Sequence, residues 1–191
     1  MNKNIFVFIL IPVFLASGFY GCATPQESAT PQEPETTFNP VTNIAMKLES
    51  PVFPNNDKIP SKYTCDGMNV NPPLKISEVP AAAKSLVLIL DDPDAPSGDF
   101  VHWTVWNIAP ATVEIQEDSV PAGAVQGSTD FGSSGYGGPC PPSGAHHYQF
   151  KLYALDTVLN IPQSSKKKDI EQAINAHVLD QALLVGLYQR K

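Results

Sequence analysis

A mainly β fold of the sandwich type is what the sequence predicts, and three observations carry it. The chain is punctuated by 19 prolines, its apolar runs are short and many alternate with polar side chains, and only one stretch, near the C-terminus, has the spacing and start signal of a helix. Hydrophobic residues make up 42% of 191 positions. That is enough to build the core of one ordinary domain with additional segments attached.

Taken in order, Met46 to Val52 alternates and reads as a first strand, turned by Pro54-Asn55-Asn56-Asp57. Pro60 to Pro73 is an irregular approach carrying Cys65 and Asp66-Gly67. Leu74 to Ile76 is a brief strand, and Val79-Pro80 a turn. Leu86-Val87-Leu88-Ile89-Leu90 is apolar without a break, as in a strand covered on both faces, and Asp91, Asp92 and Pro93 end it because proline offers no ladder donor. His102 to Ala109 is the next strand. Its alternation sets His102, Thr104 and Trp106 on one face, so that His102 looks at an aromatic wall, and Trp103 and Trp106 are core candidates. Pro110 stops that strand, and Val113 to Val120 is a weaker segment among acids. The glycines and prolines of Asp130 to Gly144 sustain neither helix nor central strand and form a stiff loop whose backbone can approach a ligand. Tyr148 to Leu155 alternates again. Ser164 or Ser165 caps a helix running through Asp169, Glu171, Ala173, Ile174 and His177. Leu183 to Tyr188 closes the chain as a final strand, or as a short second helix with the strand after it.

The first 45 residues stand apart from this pattern. Lys3 precedes an apolar stretch from Ile5 to about Tyr20 that suits an export signal better than a membrane span. It stops at Gly21-Cys22, which reads residues 1–21 as a lipoprotein signal and Cys22 as the acylated residue; Phe19 and Tyr20 depart from the usual residues of such signals. Two or three acyl chains, each contributing roughly 0.8 kcal/mol per buried methylene, would hold the protein to a membrane. Residues 22–45 repeat Ala-Thr-Pro-Gln-Glu and lack the apolar content to fold. As a tether they would reach roughly 70 Å if polyproline-like, or about 26 Å as a coil. The expectation is an exported, membrane-anchored lipoprotein facing the periplasm or the cell exterior, with its folded domain at 46–191.

The net charge is -7, and the one basic run, Lys166-Lys167-Lys168, opens the helix. A nucleic-acid partner is therefore not expected. Setting Cys22 aside leaves Cys65 and Cys140. In an oxidising compartment they can pair, closing a loop of about 75 residues and restricting the unfolded chain by about 4 to 5 kcal/mol on the entropy model. Two separate buried thiols, or Cys140 as a nucleophile with His146 as its base, are the alternatives.

Three stretches bring acids and imidazoles toward one place: Asp91-Asp92-Pro93-Asp94-Ala95-Pro96, Val101-His102-Trp103, and Tyr136-Gly137-Gly138-Pro139-Cys140-Pro141-Pro142 running into Gly144-Ala145-His146-His147-Tyr148. With Ala176-His177-Val178-Leu179 and Val185-Gly186-Leu187-Tyr188, these elements resemble the phosphatidylethanolamine-binding protein family, and within it the bacterial Raf-kinase-inhibitor-like branch. The resemblance covers roughly Met46 to Lys191. It implies a Greek-key antiparallel β-sandwich with a C-terminal helix and strand, and a pocket for small anions such as phosphate or phosphorylated headgroups. It also implies a lining of Asp92, Asp94, His102, His146 and Tyr148, with Tyr136, Gly138, Pro139, Cys140 and Pro141 on the rim. His147 replaces an arginine common in relatives, and Ala176 a glycine.

The chemistry of such a pocket follows from its residue types. Imidazoles at His102 and His146 can donate hydrogen bonds to an anion and titrate near neutral pH. Asp92 repels an anion, so its role is to accept a proton from a histidine, fix the tautomer and raise the pKa. Backbone amides from Gly138 to Cys140 and the Tyr148 hydroxyl would add donors. The expected function is non-catalytic binding of a small anionic or phosphorylated ligand, with no cofactor. A protein-interaction module, such as a protease inhibitor, is the alternative, and a hydrolase with a metal on Asp92, His102 and His146 a third reading.

Overall fold

The computed structural model describes residues 45–191. The expected signal, the Cys22 expected to be acylated and nearly all of the expected tether lie outside the described residues. Nine strands, one 3-10 turn and one helix follow in order: β1 Lys47–Glu49, β2 Asp57–Lys58, the turn Ser61–Tyr63, β3 Leu74–Ser77, β4 Ser85–Asp92, β5 Phe100–Ile108, β6 Glu114–Ile115, β7 Val125–Gln126, β8 His146–Leu155, α1 Lys167–Ile174 and β9 Val178–Tyr188. The strands form a small sheet ordered β1-β3-β6 and a large one ordered β2-β9-β8-β4-β5-β7. All ladders are antiparallel except the two-residue pairing of β2 with β9.

The unbroken apolar run of β4 is explained by its place. Flanked by β5 and β8, it is buried along its whole length. Leu86, Leu88 and Leu90 point inward, where Trp103, Val105, Phe150 and Leu152 pack with Leu48, Leu74, Ile76 and Ile115 of the small sheet. Val87 and Ile89 point outward, into a second core made by Trp106, Leu155 and Leu159 with Ile170 and Ile174 of α1. Each such side chain contributes about 1.5 to 3 kcal/mol on full burial, so β4 joins three layers by its alternation alone.

Several boundaries differ from expectation. β4 continues through both acids, because Asp91 and Asp92 still pair with Val101 and Phe100, and Pro93 is what stops it. Neither Ser164 nor Ser165 caps the helix. It starts at Lys167 after Lys166, whose amide donates to Asp169 Oδ2 at 2.9 Å, and it ends at Ile174 rather than reaching His177. β9 begins at Val178 and runs unbroken to Tyr188 along β8, leaving no second helix. β2 and β7, of two residues each, are too short to show a period in sequence.

Candidate ligand-binding site

The site forms where β4, β5 and β8 end together. Asp92 closes β4 and His146 opens β8 on the inward face, beside Tyr148. His102 reaches the same place by an irregularity. Leu90 pairs with Trp103 and Asp91 with Val101, so His102 has no opposite residue and stands as the extra residue of a β-bulge. Strict alternation would point it outward with Trp106, but Trp106 packs under α1 while His102 turns toward the pocket. The aromatic wall it meets is Phe100, Phe131 and Tyr148, edge-on at 5.2, 5.3 and 5.1 Å between ring centres.

The cavity measures about 220 Å³. Its polar lining is Asp92, Ser97, His102 and His146, and its apolar wall is Ala95, Pro96, Phe100, Phe131, Cys140, Pro141 and Pro142. Both oxygens of Asp92 are engaged: the Asp94 amide donates to Oδ1 at 2.9 Å, and Oδ2 lies 2.7 Å from His146 Nδ1. His102 Nδ1 donates to the Gly137 carbonyl at 2.7 Å, and the Gly137 amide returns a bond to the His102 carbonyl at 3.0 Å. A Cβ at Gly137 would sit 2.2 Å from the Phe131 ring, so any larger residue there would push Phe131 from its place on the pocket wall.

Electrostatics depart from the sequence expectation. Burial pushes the His102 imidazole below the usual histidine range, and the Gly137 carbonyl and Asp92 carboxylate only partly oppose it. The histidine that Asp92 holds is His146, while the Nδ1 hydrogen of His102 goes to the Gly137 carbonyl. Burial and the neighbouring Asp92 charge push the Tyr148 phenol well above its ordinary value. Its buried hydroxyl has no well-formed hydrogen bond, and it lies beneath the pocket rather than lining it.

Other candidates lie elsewhere. Asp94 turns outward to exposed His147, with Oδ2 at 2.7 Å from Nδ1, and that partnership holds its carboxyl below the usual range. Tyr136 and Gly138 face a neighbouring hollow shared with Cys65 and Asn69. The Tyr136 hydroxyl donates to the Tyr63 carbonyl at 2.7 Å, and the Gly138 amide to Asn69 Oδ1 at 2.7 Å. That amide is consumed, so it is not the ligand donor the sequence suggested. The Pro139 carbonyl accepts from the Cys65 amide at 3.1 Å. Cys65 and Cys140 form a disulfide with Cα atoms 5.4 Å apart, which removes Cys140 as a nucleophile. Ala95, Pro96, Ser97, Phe100, Phe131 and Pro142 are lining residues that sequence reasoning missed. Phe131, the one large apolar residue between Val125 and Tyr136 in a loop rich in glycine and serine, was the signal available in the sequence. Among the described residues no cluster of three His, Cys, Asp or Glu could hold a metal, and no helix is long and apolar enough to cross a membrane.

Comparison with known proteins agrees with this architecture. A UPF0098 protein of Pyrococcus horikoshii is 52% identical over 157 residues, covering 78% of this chain and 78% of its own. A UPF0098 protein of Aquifex aeolicus is 47% identical over 152 residues, covering 76% of this chain and 89% of its own. Among solved structures, the phosphatidylethanolamine-binding protein homolog CT736 of Chlamydia trachomatis superposes with a TM-score of 0.75 at 41% identity, covering 77% of this chain and 99% of its own. YbcL of E. coli, described as a member of the mammalian PEBP family, gives 0.73 at 33%, covering 78% and 100%. Residues 49–189 match the family described as phosphatidylethanolamine-binding protein, and the chain belongs to that family.

Proposed function

We propose that the domain is a non-catalytic binding module for a small anionic or phosphorylated ligand, displayed outside the cytoplasm on a lipid-anchored tether. The observation that carries the reading is the convergence of His102, His146 and Asp92 in one open pocket of about 220 Å³. Two imidazoles with their Nδ1 atoms engaged keep Nε2 available for a guest. Prolines and a disulfide on the rim limit the entropy lost when the guest is held. Both remaining cysteines sit in that disulfide, in keeping with an oxidising compartment. Names among the relatives describe binding proteins or assign no reaction. Isothermal titration of the full chain with inorganic phosphate tests the reading. Saturable binding is expected, weakened about five- to 150-fold in the double variant His102→Ala, His146→Ala, in proportion to the loss of two hydrogen bonds of about 0.5 to 1.5 kcal/mol each. Binding that persists unchanged in that variant would move the ligand to another surface.

A further inference from the structure

We propose that Phe131 sets the specificity of this pocket, and that the guest it selects is a phosphate monoester whose substituent is apolar and of ring size. The inference rests on the anion-binding reading above and concerns what the anion carries. The cavity of about 220 Å³ falls just short of the roughly 300 to 1,000 Å³ that hold drug-sized ligands. A bare tetrahedral oxyanion leaves much of it unfilled. The polar side chains are Asp92, Ser97, His102 and His146, and the other seven of the eleven lining residues present no charged or hydrogen-bonding side chain. Space beyond the reach of the imidazoles is therefore walled by apolar groups, which favours an apolar filling. That division holds whichever protonation state the two histidines adopt.

Phe131 is where the observations converge. Among the described residues it is the one aromatic side chain left exposed, at 49%. Its loop is otherwise small and polar, with Gly127-Ser128-Thr129-Asp130 before it and Gly132-Ser133-Ser134-Gly135 after it. Its ring centre lies 5.3 Å from that of His102 and 4.9 Å from that of Phe100, so a substituent on an anion held at His102 has aromatic surface beside it. Phe131 and Cys140 are the two residues that this cavity shares with the neighbouring hollow of Tyr136 and Gly138. Cys140 is fixed by its disulfide, which leaves the Phe131 ring as the part of that partition a guest can press against. Covering its open face removes apolar area from water, and an aromatic substituent adds an edge-on or offset ring contact. A phosphate without a substituent gains neither.

Phenyl phosphate and methyl phosphate isolate the substituent, because both are monoesters and at about pH 7.5 both lie well above their second pKa of about 6. Isothermal titration of the full wild-type chain, at matched ionic strength, should show phenyl phosphate bound at least about tenfold more tightly than methyl phosphate, a ratio worth about 1.4 kcal/mol. Phe131→Ser should bring the ratio below about threefold, and Phe131→Leu, which keeps an apolar side chain, should hold it above that value. A purely structural loss on substitution lowers both affinities together and leaves the ratio where it was. A smaller wild-type ratio overturns the selection, while methyl phosphate binding keeps the anion pocket standing. A ratio that Phe131→Ser leaves unchanged overturns the part given to Phe131. Failure of both esters to bind withdraws the pocket and the selection together.

Discussion

His102 sits in an aromatic surround as a ring that resists protonation, and that has a consequence for stability. In the unfolded chain it takes up a proton near pH 6.5; in the folded chain burial delays this to lower pH. Between those two values the unfolded state holds more protons, so stability rises with pH through the window and is lost as pH falls through it. The melting temperature should therefore drop between about pH 7 and pH 5, and His102→Asn should flatten that part of the curve. Thermal scans across this range check it, and parallel curves for wild type and variant would assign the acid sensitivity elsewhere. The same residue marks a limit of sequence reading. That His102 shares a site with Asp92 and His146 was legible from motif order, but its direction was not. Alternation gives a face only while the ladder stays in register, and a single unpaired residue reverses it.

At the scale of elements, the pocket is held from behind by the start of α1. Lys167 Nζ lies 2.5 Å from Asp91 Oδ2 and also bonds Asp99. Asp91 is the outward neighbour of Asp92 on β4, and Asp99 ends the loop that supplies Ala95, Pro96 and Ser97 to the pocket wall. Burial alone would lower the Lys167 pKa, but these bonds outweigh it and hold the amine above its ordinary value. The residues just before α1 grip the opposite lip. The Ser128 amide donates to the Ser165 carbonyl at 3.2 Å and its hydroxyl to the Ser164 carbonyl at 3.2 Å, on the segment leading to Phe131. One short helix end thus fixes the spacing of both lips. Lys167→Met should cost about 1 to 3 kcal/mol, because Asp91 stays buried with Lys151 as its remaining cation. It should also weaken phosphate binding about three- to tenfold. Asp99→Asn should weaken binding by a similar factor, and the double variant by no more than Lys167→Met alone, since both break the same strut. Strictly additive losses would show that the two residues act separately. The lysine run was read in sequence only as the opening of a helix; its contact with Asp91 joins residues 76 positions apart and leaves no local signature.

Across the whole molecule, what could be read in advance was what local chemistry dictates. Proline positions, the doubly buried β4 and the alternating β8 placed the main strands. The disulfide could be proposed only as one option, because two cysteines far apart in sequence say nothing of their separation in space. The cavity wall was mostly illegible, since Phe100 and Phe131 become neighbours, at 4.9 Å between ring centres, only after β5 and the loop from Gly127 fold together. The charge balance was legible from composition. The chain carries -7, and leaving out Lys3, Glu27, Glu33 and Glu35 gives -5 for residues 45–191. A mildly acidic domain whose pocket has no fixed cation opposes an approaching anion at long range and holds it only by short hydrogen bonds. Salt screens the long-range part within about 10 Å at 0.1 M and leaves the short contacts nearly untouched. Phosphate affinity should accordingly stay within about twofold, or tighten, as sodium chloride rises from about 20 to 200 mM. Receptors that hold anions by clustered lysine and arginine lose affinity steeply over such a range, because salt weakens the attraction they depend on. Titrations at graded salt separate the two cases, and a tenfold weakening here would mean that a cationic surface, rather than the imidazole pocket, captures the anion.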